Sequence, residues 1–257
     1  MLEYNMSFAS RLQRVYFNRV YNPLYDLTTR KLYRYQELQK RCLAMLDWRD
    51  GDAVLLVGLG TGNELIPIFE RNRRISLTGV DYSSTALDRA RKKADFYGND
   101  INLLIMDART LEFSSNSFDK VVCMHVMDFI TEKEKVTAEI IRVLKPGGQF
   151  VITYPSSADN LGLGSGLISD EVKASRAAGR SRLRAMAHAA KYIACGLVYL
   201  PLYFRPRQRG YTEKELNDLF TAIQSEYCIE AEPVYQDWIA CGKKPLVRKL
   251  RRIGNVQ

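Results

Sequence analysis

Apolar positions along the chain follow two rhythms. From residue 53 onward five short apolar runs stand out: Ala53 to Val57, Ile75 to Val80, Ile101 to Met106, Lys120 to Met124 and Gln149 to Tyr154. Runs of this length between glycine and polar turn residues predict strands buried on both faces. Between them the period lengthens. Ala86, Leu87, Ala90 and Ala94 form one helical stripe, and Thr131 to Leu144 forms another, with Thr131 and Glu134 spaced as a capping box. Lys145-Pro146-Gly147-Gly148 is expected to end that helix and turn the chain into the fifth strand. Alternating strands and helices predict an α/β domain with a doubly wound, mostly parallel sheet.

The flanks read differently. Residues 1–50 are rich in Tyr, Leu and Arg, and Leu12, Val15, Tyr16 and Val20 recur near the helix period until Asn22-Pro23 interrupts them. Residues 155–210 break the alternation with a glycine-rich loop from Asn160 to Gly166, a basic stretch, and an apolar stretch from Ala185 to Phe204. The regular pattern returns at Tyr211-Thr212-Glu213-Lys214-Glu215, a capped helix start. Strand candidates follow near Cys228 to Glu230 and Trp238 to Cys241, for about seven strands in all. One domain over 1–257 is expected: a helical cap at 1–50, a core at 51–154 and 211–245, and an insertion at 155–210.

Composition adds little to the fold and something to the function. The 257 residues are 46% hydrophobic, enough for a substantial core, and carry a net charge of +9. Such a charge favours an anionic partner, whether nucleic acid, membrane surface or acidic substrate. Five scattered cysteines and two histidines argue against a structural zinc site. With no basic leader ahead of an apolar run, the expected compartment is the cytoplasm.

Three clusters carry candidate chemistry. Gly58-Leu59-Gly60-Thr61-Gly62 directly follows the first strand, where glycines let the backbone turn and approach a ligand. A dinucleotide fingerprint would need its third glycine at 63, where Asn63 stands, so this loop suits a ligand without a pyrophosphate. Asp81 ends the second strand about twenty residues later, placed to accept ribose hydroxyls. Tyr82 beside it would pack on a base; the plainer alternative makes Asp81 a helix cap ahead of Ser83-Ser84. Asp107-Ala108 ends the third strand, where a carboxylate accepts from an amine and a backbone N–H donates to a ring nitrogen. In an open α/β sheet, ligands bind at the carboxyl ends of strands, and all three clusters fall there.

With Val54–Gly62, Thr78–Ser83, Asp107-Ala108 and Arg142–Gly148, the sequence resembles class I S-adenosylmethionine-dependent methyltransferases. Phe118 to Gly148 looks like the corresponding stretch of ubiquinone/menaquinone C-methyltransferases. The Tyr25-Asp26 pair is similar both to those enzymes and to bacterial phospholipid N-methyltransferases. The resemblance covers 51–154 and, in general pattern, 211–245, but not 155–210. It implies a Rossmann-like sheet and S-adenosylmethionine as cofactor, with Gly58, Gly60 and Gly62 at its methionine end, Asp81 at its ribose, and Asp107 with Ala108 at its adenine. One departure stands out. The family usually has an acid two residues before the first glycine, organising the loop and the cofactor's amino group; here that residue is Leu56. Either affinity is weaker or a residue from the N-terminal helices substitutes.

His125, with Asp128, lies just beyond the fourth strand, on the rim that by resemblance faces the transferable methyl group. It is a candidate general base, the alternative being a rim histidine that shapes the pocket. Tyr21 and Tyr25 are candidates to cover the cofactor, Tyr25 also as a catalytic group, against core packing as the alternative. The expected reaction is methyl transfer to a small, lipophilic or amphiphilic acceptor such as a quinol or phospholipid. Methylation of RNA or protein, or a non-catalytic binding protein, are the alternatives; with no RNA-binding module visible, nucleic acid is the lesser expectation. Ala185 to Phe204 approaches the length of a membrane span, yet His188, Lys191 and Pro201 interrupt it. Arg176, Arg180, Arg182 and Arg184 precede it and Arg205, Arg207 and Arg209 follow. That pattern predicts either a lid or peripheral contact with an anionic membrane.

Overall fold

A computed structural model describes residues 15, 19–20, 22, 26, 32–71, 74–157, 163–196, 209–223, 225–232 and 237–246. Seven strands form one sheet: β1 (Ala53–Val57), β2 (Ser76–Asp81), β3 (Asn102–Ile105), β4 (Phe118–Cys123), β5 (Leu144–Pro155), β6 (Glu226–Glu232) and β7 (Asp237–Lys243). Their order is β3-β2-β1-β4-β5-β7-β6. The first five are parallel, and β7 runs antiparallel between β5 and β6. The order reverses between β1 and β4, the switch point at which open α/β sheets bind ligands.

Period-two alternation divides β1 between two cores. Val54 and Leu56 join one cluster, while Leu55 and Val57 join the other. On the first side lie α1 (Tyr33–Ala44), α2 (Leu65–Phe69) and α3 (Ser84–Phe96). They contribute Leu38, Leu43, Leu65, Ile68, Leu87, Ala90 and Ala94. On the second side lie α4 (Lys133–Val143) and, near the C-terminus, a helix over Glu213–Ala222. These contribute Val136, Ile140, Leu216 and Phe220. A run apolar at every position is what a strand covered on both faces requires.

Helix starts follow their side chains. Ser83 Oγ accepts the Ala86 amide at 3.2 Å and caps α3. Thr212 and Glu215 form the capping box expected ahead of Glu213–Ala222. The box expected at Thr131 and Glu134 does not form. Helix α4 begins at Lys133, its N-cap Glu132 makes no side-chain capping bond, and Glu134 instead accepts the Tyr211 hydroxyl. Strand β5 also starts earlier than its apolar run, at Leu144. Lys244 stitches this start down, its amide donating to Gly148 O and its carbonyl accepting the Gly147 amide, both at 2.9 Å.

The insertion holds two helices, α5 (Leu163–Ala177) and α6 (Arg182–Gly196), which pack against each other. The expected glycine-rich loop is therefore partly helical from Leu163 onward, packing having outweighed the low helix propensity of glycine. The helix over Glu213–Ala222 is α7. Residues 197–208, with Arg205 and Arg207, lie outside the described residues. No helix among the described residues is long and apolar enough to cross a membrane. Within the N-terminal stripe, Val15 and Val20 are described and exposed.

Candidate active site

The glycine loop leaves β1 at the switch point and doubles back under its neighbours. Gly58, Gly60 and Gly62 all take positive φ, 65°, 56° and 77°. A Cβ on Gly58 would stand 2.1 Å from Val126 Cγ2, so this glycine lets the segment after β4 pack directly on the loop. At Gly60 a Cβ would meet only Gly58 O, at 3.9 Å. That combination, left-handed backbone facing open space, fits a ligand lying against the chain. The Gly60 amide donates to Asp81 Oδ2 at 2.7 Å, and the Ser83 amide to Oδ1 at 2.8 Å.

Asp81 thus joins the end of β2 to the loop rather than capping α3, a task taken by Ser83. Burial pushes its carboxyl upward against the pull of backbone donors from Ser83, Gly60 and Tyr82. Holding a carboxylate in such a place costs stability. Tyr82, next along, is 51% exposed. Asp107 sits beyond β3, gripped by Arg109 through Nη2 to Oδ2 at 2.6 Å and Nε to Oδ1 at 3.0 Å. Bonding to Arg109 holds its carboxyl below the usual range. The Arg109 amide also donates to Oδ1, at 2.8 Å, so an amine would have to share or displace one of these bonds. Ala108 is half-buried on the same turn.

The other half of the rim gathers around His125. This residue has φ 57°, a left-handed conformation strained for a non-glycine, and its amide is fixed to Thr153 Oγ1 on β5 at 2.8 Å. Its ring stacks on Tyr35 of α1, centroids 5.7 Å apart, and the Tyr35 hydroxyl donates to Glu64 Oε1 at 3.1 Å. His125 Nδ1 lies 3.8 Å from Asp128 Oδ2 and 3.9 Å from Asp237 Oδ2. Burial lowers the imidazole's basicity, but Asp128, Asp237 and Glu64 outweigh it and raise the pKa above 6.5. Burial raises the carboxyl of Glu64, against Tyr35 and His125.

Sequence spacing singled out His125 and Asp128 but not Tyr35, Glu64, Thr153 and Asp237, which the fold brings to the same cluster. Tyr35 had the look of an ordinary helix-stripe residue, being 1% exposed, and Asp237 lies more than a hundred residues from His125. Tyr21 and Tyr25 lie outside the described residues. Asp26 is described, and its carboxylate accepts the Thr61 hydroxyl at 2.6 Å.

Residues 55–152 match the family described as a methyltransferase domain. A phosphatidylethanolamine N-methyltransferase from Cereibacter sphaeroides is 37% identical over 138 residues, covering 53% of this chain and 65% of that protein. A ubiquinone/menaquinone biosynthesis C-methyltransferase from Desulfotalea psychrophila is 32% identical over 129 residues, 49% of this chain and 52% of that one. The chain therefore spans less than two thirds of the length of either relative. Among solved structures, phospholethanolamine N-methyltransferase 2 from Haemonchus contortus, in complex with phosphomonomethylethanolamine and S-adenosylhomocysteine, shares the fold. Its TM-score is 0.59 at 16% identity, covering 94% of this chain and 61% of that chain. The glycine loop, the rim acids and these likenesses agree: residues 55–152 are a class I S-adenosylmethionine-dependent methyltransferase domain, with S-adenosylmethionine as its cofactor.

Proposed function

We propose that this protein transfers a methyl group from S-adenosylmethionine to the amine of an amphiphilic, phospholipid-like acceptor. Gly58, Gly60, Gly62, Asp81, Tyr82, Asp107 and Ala108 would hold the cofactor, which supplies an electrophilic methyl on a sulfonium. The observation that carries the reading is the convergence of Glu64, Asp128 and Asp237 on His125 beneath the Tyr35 ring. Carboxylates beside an aromatic ring suit an ammonium group. Before it can attack, that ammonium must lose a proton. With carboxylates at Nδ1, the neutral imidazole keeps its proton there and receives the substrate's at Nε2. With its proton on His125, the amine would be free to accept the methyl group. Holding the two reactants in line contributes most of the acceleration.

The insertion supports an amphiphilic acceptor. Arg176, Arg180, Arg182 and Arg184 are exposed, and Leu183 and Met186 on α6 are exposed by 79% and 55%. Cationic and apolar groups together suit an anionic membrane interface, each basic residue contributing about 1 kcal/mol. Helix α5 meets α1 where Glu171 accepts the Tyr33 amide, two residues from Tyr35. A quinol is the second reading, favoured by His125 itself, because carbon or oxygen methylation needs a base. The deciding experiment incubates the protein with S-adenosylmethionine and either phosphatidylethanolamine in anionic vesicles or a quinol in the same vesicles. Methylated amine lipid is the expected product. Methylated quinol alone, or methylation of neither, would overturn the amine reading.

A further inference from the structure

Lys93, in the last turn of α3, reaches under the glycine loop with its side chain only 14% exposed. Its ammonium donates to Asn63 Oδ1 at 2.6 Å, Thr61 O at 2.7 Å and Asp26 Oδ1 at 2.8 Å. An ammonium has three protons, and here there are three short acceptors. The same oxygen of Asp26 accepts the Thr61 hydroxyl, and Thr61 and Asn63 are each 2% exposed. The loop is thereby pinned at two places: Asp81 holds the Gly60 amide, and Lys93 holds the Thr61 carbonyl two peptides further on. Glycine-rich backbone needs such anchors to keep one conformation. Leu56, 2% exposed in the core, gives the loop no carboxylate from β1. Asp26, from the N-terminal segment, brings one instead.

We infer that Asp26 and Lys93 are a positioning pair that holds the glycine loop in the conformation that takes the cofactor. Resting on the cofactor assignment, this goes beyond it: Asp26 and Lys93 fix the loop from outside β1, where Leu56 supplies no carboxylate.

The test measures S-adenosylhomocysteine affinity by calorimetry in the parent, Asp26→Asn, Asp26→Glu, Lys93→Met and the Asp26→Asn/Lys93→Met double variant. Asp26→Asn, nearly isosteric, should weaken binding by about tenfold, and Asp26→Glu should recover part of the loss. The double variant should bind no more weakly than the worse single, since both remove one shared interaction. Parent-like affinity in Asp26→Asn, or strictly additive losses in the double variant, would overturn the inference. Asp26→Asn and Asp26→Glu decide it even if Lys93→Met does not fold. A parent that binds no S-adenosylhomocysteine sinks the cofactor assignment together with this inference; parent binding that Asp26→Asn leaves untouched sinks this inference alone.

Discussion

On the β1–β3 side of the rim, one loop and two strand ends carry the candidate cofactor groups from Gly58 to Ala108. On the β4–β7 side, the groups around His125 come from α1, the exit of the glycine loop, the segment after β4, β5 and the start of β7, spread from Tyr35 to Asp237. The first half is local backbone geometry tuned by glycines. Its partner is assembled by tertiary packing, with Val126 against Gly58 joining the two. In the proposed function the first would hold a ligand common to many proteins, whereas the acceptor would be read by side chains that only the folded chain brings together. Substitutions in one half should therefore be silent in the other.

The harshest test of the cofactor half asks whether β1 can take back an acid at its end. Leu56 is packed in the core among Leu38, Leu59, Leu65 and Met124. Leu56→Asp would place an unmatched charge there and should cost about 3–5 kcal/mol of stability in urea unfolding. An unchanged midpoint with tighter S-adenosylhomocysteine binding would show that β1 still reaches the ligand. In the acceptor half, His125→Asn should lower turnover about a hundredfold, near 2.7 kcal/mol, with cofactor affinity intact. A loss under about tenfold would make His125 a pocket wall. Conversely, Asp81→Ala should weaken S-adenosylhomocysteine by roughly 1.5–3 kcal/mol. Equal binding in Asp81→Ala would leave that carboxylate with only its structural bonds to Gly60 and Ser83.

What the sequence disclosed follows the same division. The run Ala53–Val57 and the spacing of Gly58, Asp81 and Asp107 are short-range signals, and the sheet sets them where expected. The early start of β5 depended on Lys244, about a hundred residues away, and so was invisible in its own neighbourhood. Thr131 and Glu134 had the right spacing for a capping box, but Tyr211 claimed Glu134 first. Asp237 and Glu64 are common acids at unremarkable positions; nothing in their neighbours marks them until Tyr35 and His125 arrive between them.

The finest distinction lies in pH. Asp128, Asp237 and Glu64 raise the pKa of His125 above its ordinary 6.5 in the folded chain, despite burial. The stabilisation this represents is fully present below the unfolded pKa and is lost as pH rises through the folded one. Asp128→Asn should therefore lower the melting temperature more at about pH 6, where the imidazole is charged, than at about pH 9. Activity should move the other way. A base works when neutral, so the acid limb of kcat/KM should shift to lower pH in Asp128→Asn, narrowing or reversing any deficit as the solution becomes more acidic. Cofactor affinity should hold constant across both proteins at each pH, because Asp128 lies in the acceptor half. A uniform drop in kcat/KM with an unmoved limb would mean that Asp128 shapes the pocket without tuning His125. An equal loss of S-adenosylhomocysteine affinity would mean that the two halves are not separable at this residue.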